Sequence, residues 1–236
     1  MLLEVKEINS YYGDSHVLQD VSFNLAEEEM VSILGRNGVG KSTLLKSIMG
    51  IVMPRKGSVL FKNEELVGKA PFKIARKGVG YVPEDRRAFP GLTVKENLLM
   101  GITNRYAKSG LPSWTIDRVY NVFPLLSKRD KTQGSSLSGG EQQVLTLMRT
   151  LLGNPELMLI DEPSEGLSPM MIKVIFDIIR DLHKEGMSII LVDQNLFFAC
   201  RAANKVHIMS KGRIVFSGTG KEVEESEDVQ RKYLAV

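Results

Sequence analysis

The stretch MVSILGRNGVGKSTLLKSIMG, residues 30–50, decides the fold class. Its "VSIL" segment is a short apolar run typical of a buried strand, and a glycine-rich loop follows. A helix is predicted from about Lys41 to Met49, with Gly50 where a C-terminal glycine cap belongs. This order of strand, loop and helix indicates an α/β domain.

Three further apolar runs resemble this first strand: "VGYV" at 79–82, "LMLID" at 157–161 and "SIILVD" at 188–193. A helix with Ser168 as its N-cap and Pro169 at its first position is predicted between the last two runs. A strand, a crossover helix and a second strand form a parallel pair, so we expect a parallel sheet built from these runs.

The beginning of the chain has a different pattern. Residues 2–8 and 17–26 alternate between apolar and polar side chains, which predicts two antiparallel strands around a turn at Gly13 and Asp14. Residues 57–66 are predicted to add a strand to the same sheet. Residues 88–155 give a helical pattern with no strand signal, including "WTIDRVYNVFPLL" as a helix, which predicts an inserted helical subdomain.

We therefore expect one domain over residues 1–236. Residues 1–87 and 156–236 would form the core with its antiparallel β subdomain, and residues 88–155 the helical subdomain. A chain of 236 residues with 43% hydrophobic residues is long enough to bury such a core.

Composition narrows the class of partner. The chain has 31 basic and 28 acidic residues, a net charge of +3, so nucleic acid is not an expected partner.

Its single cysteine, Cys200, excludes an internal disulfide framework and fits a reducing compartment. We see no secretory signal and no apolar window of about 18 residues, so a membrane-spanning segment is not expected.

The glycine-rich loop matches the pattern G-x-x-x-x-G-K-[ST] between a strand and a helix, the context that this motif requires. Its glycines let backbone N–H groups approach phosphate oxygens, and the positive end of the helix favours the same charge. Lys41 would reach the β- and γ-phosphates, and the Ser42 hydroxyl would ligate Mg²⁺. The phosphate loop comprises Gly35, Arg36, Asn37, Gly38, Val39, Gly40, Lys41 and Ser42.

Two carboxylates follow the apolar run "LMLI". Asp161 lies at the carboxyl end of a predicted strand, where α/β sheets bind ligands, and is expected to hold Mg²⁺. Glu162 is the candidate for polarising an attacking water. Guanine specificity would need N-K-x-D, and "NKVH" at Asn204 lacks the aspartate, so adenine is the expected base.

With "GRNGVGKST", "LSGGEQQ" and "LMLIDEP" in this order, the sequence resembles the ATP-binding cassette (ABC) family over essentially its whole length. The L-S-G-G-[EQ] turn is much more specific to that family than the phosphate loop. The resemblance implies a P-loop NTPase core with a mixed parallel sheet, an N-terminal antiparallel β subdomain and an inserted α-helical subdomain. It also implies a head-to-tail dimer.

In such a dimer each ATP lies between the phosphate loop of one subunit and the signature turn of the other. Carried over to this chain, the resemblance implies that Ser138, Gly139, Gly140 and Glu141 face the partner's ATP. Tyr12 matches the family's aromatic residue that stacks on adenine. Thr43 joins Ser42 around the phosphates.

Three positions depart from the commonest family pattern. Glu84 stands where glutamine usually senses the γ-phosphate and contacts Mg²⁺. Ser168 replaces an aspartate, and Gln194 replaces the switch histidine, so it can donate to the γ-phosphate but cannot become a cation. Glutamate and glutamine at the first and last of these positions are usual in ATP-binding subunits of importers of branched-chain amino acids, urea or short-chain amides.

The resemblance thus implies an ATPase subunit of an importer, peripheral on the cytoplasmic face of the cell membrane. Its expected partners are a second ATPase subunit, identical or related, membrane permease subunits and, indirectly, a solute-binding protein. Residues 85–101 would line the groove that receives a short helix of the permease. A soluble ABC protein acting on ribosomes or DNA, and an exporter ATPase, remain as alternatives.

Overall fold

The computed structural model describes residues 1–86, 88–103 and 112–234. Its strands form two sheets. They are β1 (Leu3–Tyr12), β2 (Ser15–Leu25), β3 (Met30–Leu34), β4 (Lys56–Phe61), β5 (Glu64–Glu65), β6 (Val79–Val82), β7 (Leu157–Asp161), β8 (Ser188–Asp193), β9 (Lys205–Ser210) and β10 (Arg213–Gly218). The α-helices are α1 (Lys41–Ile48), α2 (Pro71–Lys77), α3 (Val94–Leu99), α4 (Ile116–Val122), α5 (Pro124–Lys128), α6 (Gly139–Leu151), α7 (Pro169–Lys184), α8 (Leu196–Ala202), α9 (Gly220–Glu225) and α10 (Glu227–Val229).

The first sheet is antiparallel, with the strand order β2-β1-β4-β5. The predicted hairpin of β1 and β2 is present, and Gly13 takes a φ of +57° in its turn. The strand predicted in residues 57–66 pairs with β1.

The second sheet has the order β10-β9-β3-β8-β7-β6, and its strands are parallel except for the antiparallel pair β9 and β10. Parallel strands direct their carboxyl ends to one edge. The phosphate loop follows β3, Glu84 follows β6, and Asp161 and Asp193 end β7 and β8. This edge therefore assembles candidate residues from four strands.

The second sheet is covered on both faces. Along β7, Leu157 and Leu159 enter a hydrophobic cluster with α1 and the first sheet. Met158 and Ile160 enter a second cluster with α6 and α7. Alternate side chains of a strand point to opposite faces, so burial on both faces explains why this strand reads as a continuous apolar run.

Several α-helices lie between β6 and β7, as expected from the helical pattern there. The predicted helix in "WTIDRVYNVFPLL" is two helices in the structure, α4 and α5, which meet at Phe123. Pro124 starts α5 because proline has no N–H to continue the preceding helix. The predicted subdomain includes residues 104–111, which lie outside the described residues, and its boundaries remain a prediction.

Crossover helix α7 begins as expected, with Ser168 accepting a hydrogen bond from the Met171 N–H and Pro169 at its first position. The charged C-terminal segment is not one helix but α9, α10 and a π-helical turn, Gln230–Leu234. Within the described residues, no helix has the length and apolar character needed to cross a bilayer.

Candidate functional site

The phosphate loop wraps around the first turn of α1. Gly40 caps α1 with a φ of 109°, a conformation that favours glycine, and its carbonyl accepts from the Leu44 N–H at 2.9 Å. Gly35 packs so closely that an added Cβ would lie 2.5 Å from the carbonyl oxygen of Met209. Neighbouring segments therefore fix the conformation of the loop. The loop lies at the N-terminal end of α1, which is the positive end of the helix dipole.

Lys41 is almost completely buried in this loop, with 3% of its surface exposed. Its Nζ donates to the carbonyl oxygens of Gly35 at 2.7 Å and Arg36 at 3.1 Å. It also forms an ion pair with a carboxylate oxygen of Glu162 at 2.9 Å. The structure thus brings together two residues that the sequence assigned to one site, and a phosphate at Lys41 would compete with Glu162.

Asp161 ends β7 and is 1% exposed. Its Oδ2 accepts from the Tyr81 hydroxyl at 2.9 Å, whereas no described residue donates a hydrogen bond to Oδ1. Burial raises the pKa of this carboxyl, and the hydroxyls of Ser42 and Tyr81 oppose the rise. A buried carboxylate oxygen left without a partner beside the Ser42 hydroxyl suits a hard cation such as Mg²⁺.

Glu84 lies in the loop after β6 and completes an acidic cluster. Partial burial raises its pKa, and the nearby carboxylates of Glu162, Asp161 and Glu165 raise it further. Like charges held this close disfavour one another's ionised forms. A bound divalent cation would relieve this repulsion. Among the described residues, however, no group of three or more Asp, Glu, His or Cys side chains is arranged to hold a metal ion, so the predicted role of Ser42, Glu84 and Asp161 in binding Mg²⁺ stays a prediction.

Glu162 has a φ of 41°, a conformation that costs energy for a residue with a side chain. Its N–H donates to the Val192 carbonyl at 2.9 Å, which ties the strained residue to β8. Three residues later, Glu165 accepts a hydrogen bond from the Gln194 side-chain amide. The residue predicted to donate to the γ-phosphate is thus engaged with a carboxylate in this structure.

Sequence reasoning missed Asp193, which is buried at the carboxyl end of β8 next to these residues. Burial raises its pKa to about 6. Its Oδ1 accepts from the Ser164 hydroxyl at 2.9 Å and from the Asn195 N–H at 2.8 Å. The sequence does contain a pattern that indicates this residue, because "SIILVD" ends in an aspartate just as "LMLID" does.

The signature turn, Ser138–Gly140, starts α6. The Ser138 side chain caps the helix by accepting from the Glu141 N–H, and Glu141 accepts in return from the Ser138 N–H at 2.7 Å. Glu141 also pairs with Arg129 at 3.3 Å, so its carboxylate is used within the subunit. Ser138 is exposed, which leaves the N-terminal end of α6 accessible to an anion.

Two tyrosines lie at the end of β1. The Tyr11 ring stacks on His16, with centroids 4.1 Å apart, and Arg55 covers it at 4.4 Å. Tyr12 is 50% exposed. Of the two, Tyr12 therefore has the ring available for a base, as its expected role requires.

Comparison with known proteins places this geometry in a family. Residues 18–165 match the family model described as "ABC transporter". The chain is 40% identical over 233 residues to the high-affinity branched-chain amino acid transport ATP-binding protein BraG of Pseudomonas aeruginosa, covering 99% of each chain. It is 31% identical to the lipopolysaccharide export system ATP-binding protein LptB of Haemophilus influenzae, covering 99% of this chain and 97% of LptB.

Among solved structures, the ATP-binding cassette MJ1267 of an ABC transporter matches with a TM-score of 0.84 at 25% identity, covering 100% of this chain and 98% of that one. This likeness confirms the predicted fold class. Together, the family model, the near full-length relatives and the cassette fold establish that the chain is an ATPase subunit of the ABC transporter family.

Proposed function

We propose that this chain is the ATP-hydrolysing subunit of an importer for branched-chain amino acids or a related small solute. The observation that carries the proposal is its 40% identity to BraG across almost the full length of both chains. Identity to LptB, whose name describes export, is lower at 31%. Glu84 and Gln194, at positions where the family usually has glutamine and histidine, support the same assignment.

ATP would bind with its phosphates on the phosphate loop and its adenine on Tyr12. Phosphate oxygens would replace Glu162 as the partner of Lys41, which frees the Glu162 carboxylate to accept a proton from the attacking water. Gln194 would leave Glu165 to donate to the γ-phosphate. Ser42, Glu84 and Asp161 would hold Mg²⁺, which would neutralise charge on the phosphate oxygens.

The ATPase would work as a dimer, with a second subunit that is identical or related. The signature turn of each subunit would place backbone N–H groups and the N-terminal end of α6 against the γ-phosphate of its partner's ATP. Gly139 has no side chain, so its backbone N–H would meet the phosphate directly.

A groove beside the second sheet supports docking to a permease. It has a volume of about 950 Å³ and is lined by Tyr81, Phe89, Met100, Gly101, Arg149 and other residues. The exposed apolar side chains of Phe89, Leu99, Met100 and Ile102 lie in or next to the stretch that we predicted to line it. An exposed apolar patch of this kind suits a short amphipathic helix. Arg87, also in that stretch, lies outside the described residues.

Buried Asn97 of α3 fixes the wall of this groove. The two N–H groups on its Nδ2 are shared among the carbonyl oxygens of Phe89 at 3.0 Å, Leu92 at 3.1 Å and Thr93 at 3.0 Å. Its Oδ1 accepts from the Phe89 N–H at 2.8 Å and from Arg149 at 3.1 Å. The loop with Glu84 at its start is thus joined to the docking surface through α3 and α6, a route for coupling the two.

The proposal is tested by reconstituting the chain with its permease subunits and solute-binding protein in liposomes. We expect ATP-dependent uptake of labelled leucine or another branched-chain amino acid, and ATPase activity that rises with the loaded binding protein. Phe89→Ala should reduce uptake and copurification of the permease while leaving the isolated subunit's ATP binding intact. Outward movement of solute, or copurification with ribosomes or DNA in place of permeases, would support one of the alternatives.

A further inference from the structure

The guanidinium group of Arg86 lies between two glycines from different parts of the chain. Gly139 is the first residue of α6, and Gly166 lies in the loop after β7. A Cβ atom on Gly139 would overlap Nη1 of Arg86 and lie 3.1 Å from Cζ, and one on Gly166 would lie 3.2 Å from Nη2. The two glycines leave a slot that the planar guanidinium fills.

Hydrogen bonds hold the guanidinium in this slot. Nη2 of Arg86 donates to the carbonyl oxygen of Glu165 at 2.9 Å and lies 3.4 Å from that of Gly166. Both carbonyls belong to the loop that begins with Glu162. Hydrogen bonds from a charged donor are stronger than those between neutral groups, so this contact restrains the loop.

The backbone of Arg86 is anchored as well. Its carbonyl oxygen accepts from the Thr146 hydroxyl of α6. Its φ of 60° is unfavourable for a residue with a side chain and persists only where surrounding contacts enforce it. Arg86 is thereby attached to α6 through its backbone and to the loop after β7 through its side chain.

These contacts join three segments that carry the proposed reaction. Glu84 lies two residues before Arg86, Gly139 belongs to the signature turn, and the bonded carbonyls follow Glu162 by a few residues. A lysine has a single ammonium group on a flexible stem, so it could neither fill the slot nor span both carbonyls in the same way.

We propose that Arg86 is a positioning residue for ATP hydrolysis, which holds the Glu162 loop in place against the signature turn. This inference rests on the proposed function, since it takes Glu162 and the signature turn as acting on ATP. Arg86 acts on these segments rather than on the phosphate loop. Its loss should therefore reduce the rate of hydrolysis without weakening ATP binding by the subunit.

The test compares Arg86→Ala and Arg86→Lys with the wild type and with Arg180→Ala. Arg180 is a matched surface arginine, which pairs with Asp177 and Asp181 on α7. We expect kcat to fall by about tenfold or more in Arg86→Ala, the effect of losing one charged hydrogen bond. Arg86→Lys should recover only part of this loss, and Arg180→Ala should match the wild type.

Binding and stability measurements distinguish positioning from a general structural role. KM for ATP and the Kd for ATP of the isolated subunit should stay close to wild type in Arg86→Ala, and the melting temperature should fall only by the few degrees expected for the loss of one charged hydrogen bond. An unchanged kcat, full recovery by lysine, or a fall in kcat matched by a rise in KM would overturn the inference. Hydrolysis at the wild-type rate by Glu162→Gln would instead overturn the proposed function. If Glu162→Gln is inactive but Arg86→Ala is fully active, only the role of Arg86 is overturned.

The slot itself has a separate test that does not depend on hydrolysis. Gly139→Ala should lower the melting temperature of the wild type, because its methyl group displaces the guanidinium. In the Arg86→Ala background the space is free, and the same substitution should have a much smaller effect. Equal losses of stability in both backgrounds would show that the guanidinium does not occupy the slot.

Discussion

Glu162→Gln should make the empty subunit less stable and its binding of ATP tighter. Glutamine keeps the shape of the side chain and one acceptor oxygen, but it removes the charge that lies 2.9 Å from the buried Lys41 ammonium. The ammonium stays charged and still donates to the amide oxygen, so the loss is smaller than the roughly 3–5 kcal/mol for removing one partner of a buried ion pair, and we expect about 1–2 kcal/mol. For a chain of this length, the melting temperature should fall by about 2–8 °C.

Bound ATP supplies the charge that Lys41 has lost, so most of this energy returns on binding. The affinity of the isolated subunit for ATP should rise about 5–30-fold. Differential scanning calorimetry of the nucleotide-free protein and isothermal titration with ATP measure the two effects. Steady-state hydrolysis by the same variant should be lost, since an amide cannot accept a proton from water.

The matched control is Glu165→Gln. It removes one negative charge from the same loop, but the Glu165 carboxylate bonds to Gln194 rather than to Lys41. The control should therefore show a smaller change in both measurements. The reasoning is refuted if the two variants have the same melting temperature and ATP affinity, or if the nucleotide-free Glu162→Gln protein is as stable as the wild type.

Four further substitutions, one of them a control, test other parts of the chain. Gly139→Ala should abolish hydrolysis while the isolated subunit still binds ATP, and loss of that binding in titration calorimetry would contradict a site completed by the partner. Tyr12→Ala should weaken ATP binding about tenfold through lost stacking, whereas Tyr11→Ala should affect stability instead, since its ring packs between His16 and Arg55. Burial lowers the pKa of His207 to about 4 from 6.5, so its contribution to stability is present above pH 6.5 and is lost as pH falls towards 4. That contribution is about 3 kcal/mol. Urea unfolding at several pH values should therefore show that His207→Gln loses less stability than the wild type as the pH falls. An equal loss of stability in both proteins would contradict this account.

The sequence alone was sufficient to predict the strands and loops of the site, because each of them is specified by a short local pattern. Apolar runs predicted β3, β7 and β8, and the carboxyl ends of parallel strands then placed the phosphate loop and Asp161 at one edge. The N-cap at Ser168 and the hairpin around Gly13 are equally local signals. The break at Pro124 was missed, because "WTIDRVYNVFPLL" was predicted as one helix although proline cannot continue a helix.

Contacts between distant segments could not be predicted in this way. The ion pair of Lys41 with Glu162 and the slot occupied by Arg86 depend on how loops from different strands pack. Likewise, nothing in "LVDQN" indicates that the Gln194 amide bonds to Glu165. The raised pKa of Asp193 is a consequence of its burial. An aspartate at the end of an apolar run suggests such burial, but the sequence alone does not establish it.

Asn97 has a consequence for the thermodynamics of docking. One buried amide fixes the loop from Phe89 to Thr93 before any partner arrives, so that loop has little conformational entropy left to lose on association. An amphipathic helix that binds there gains the burial of its apolar face with only a small ordering cost. The groove is thus preorganised for the helix that we propose to dock there.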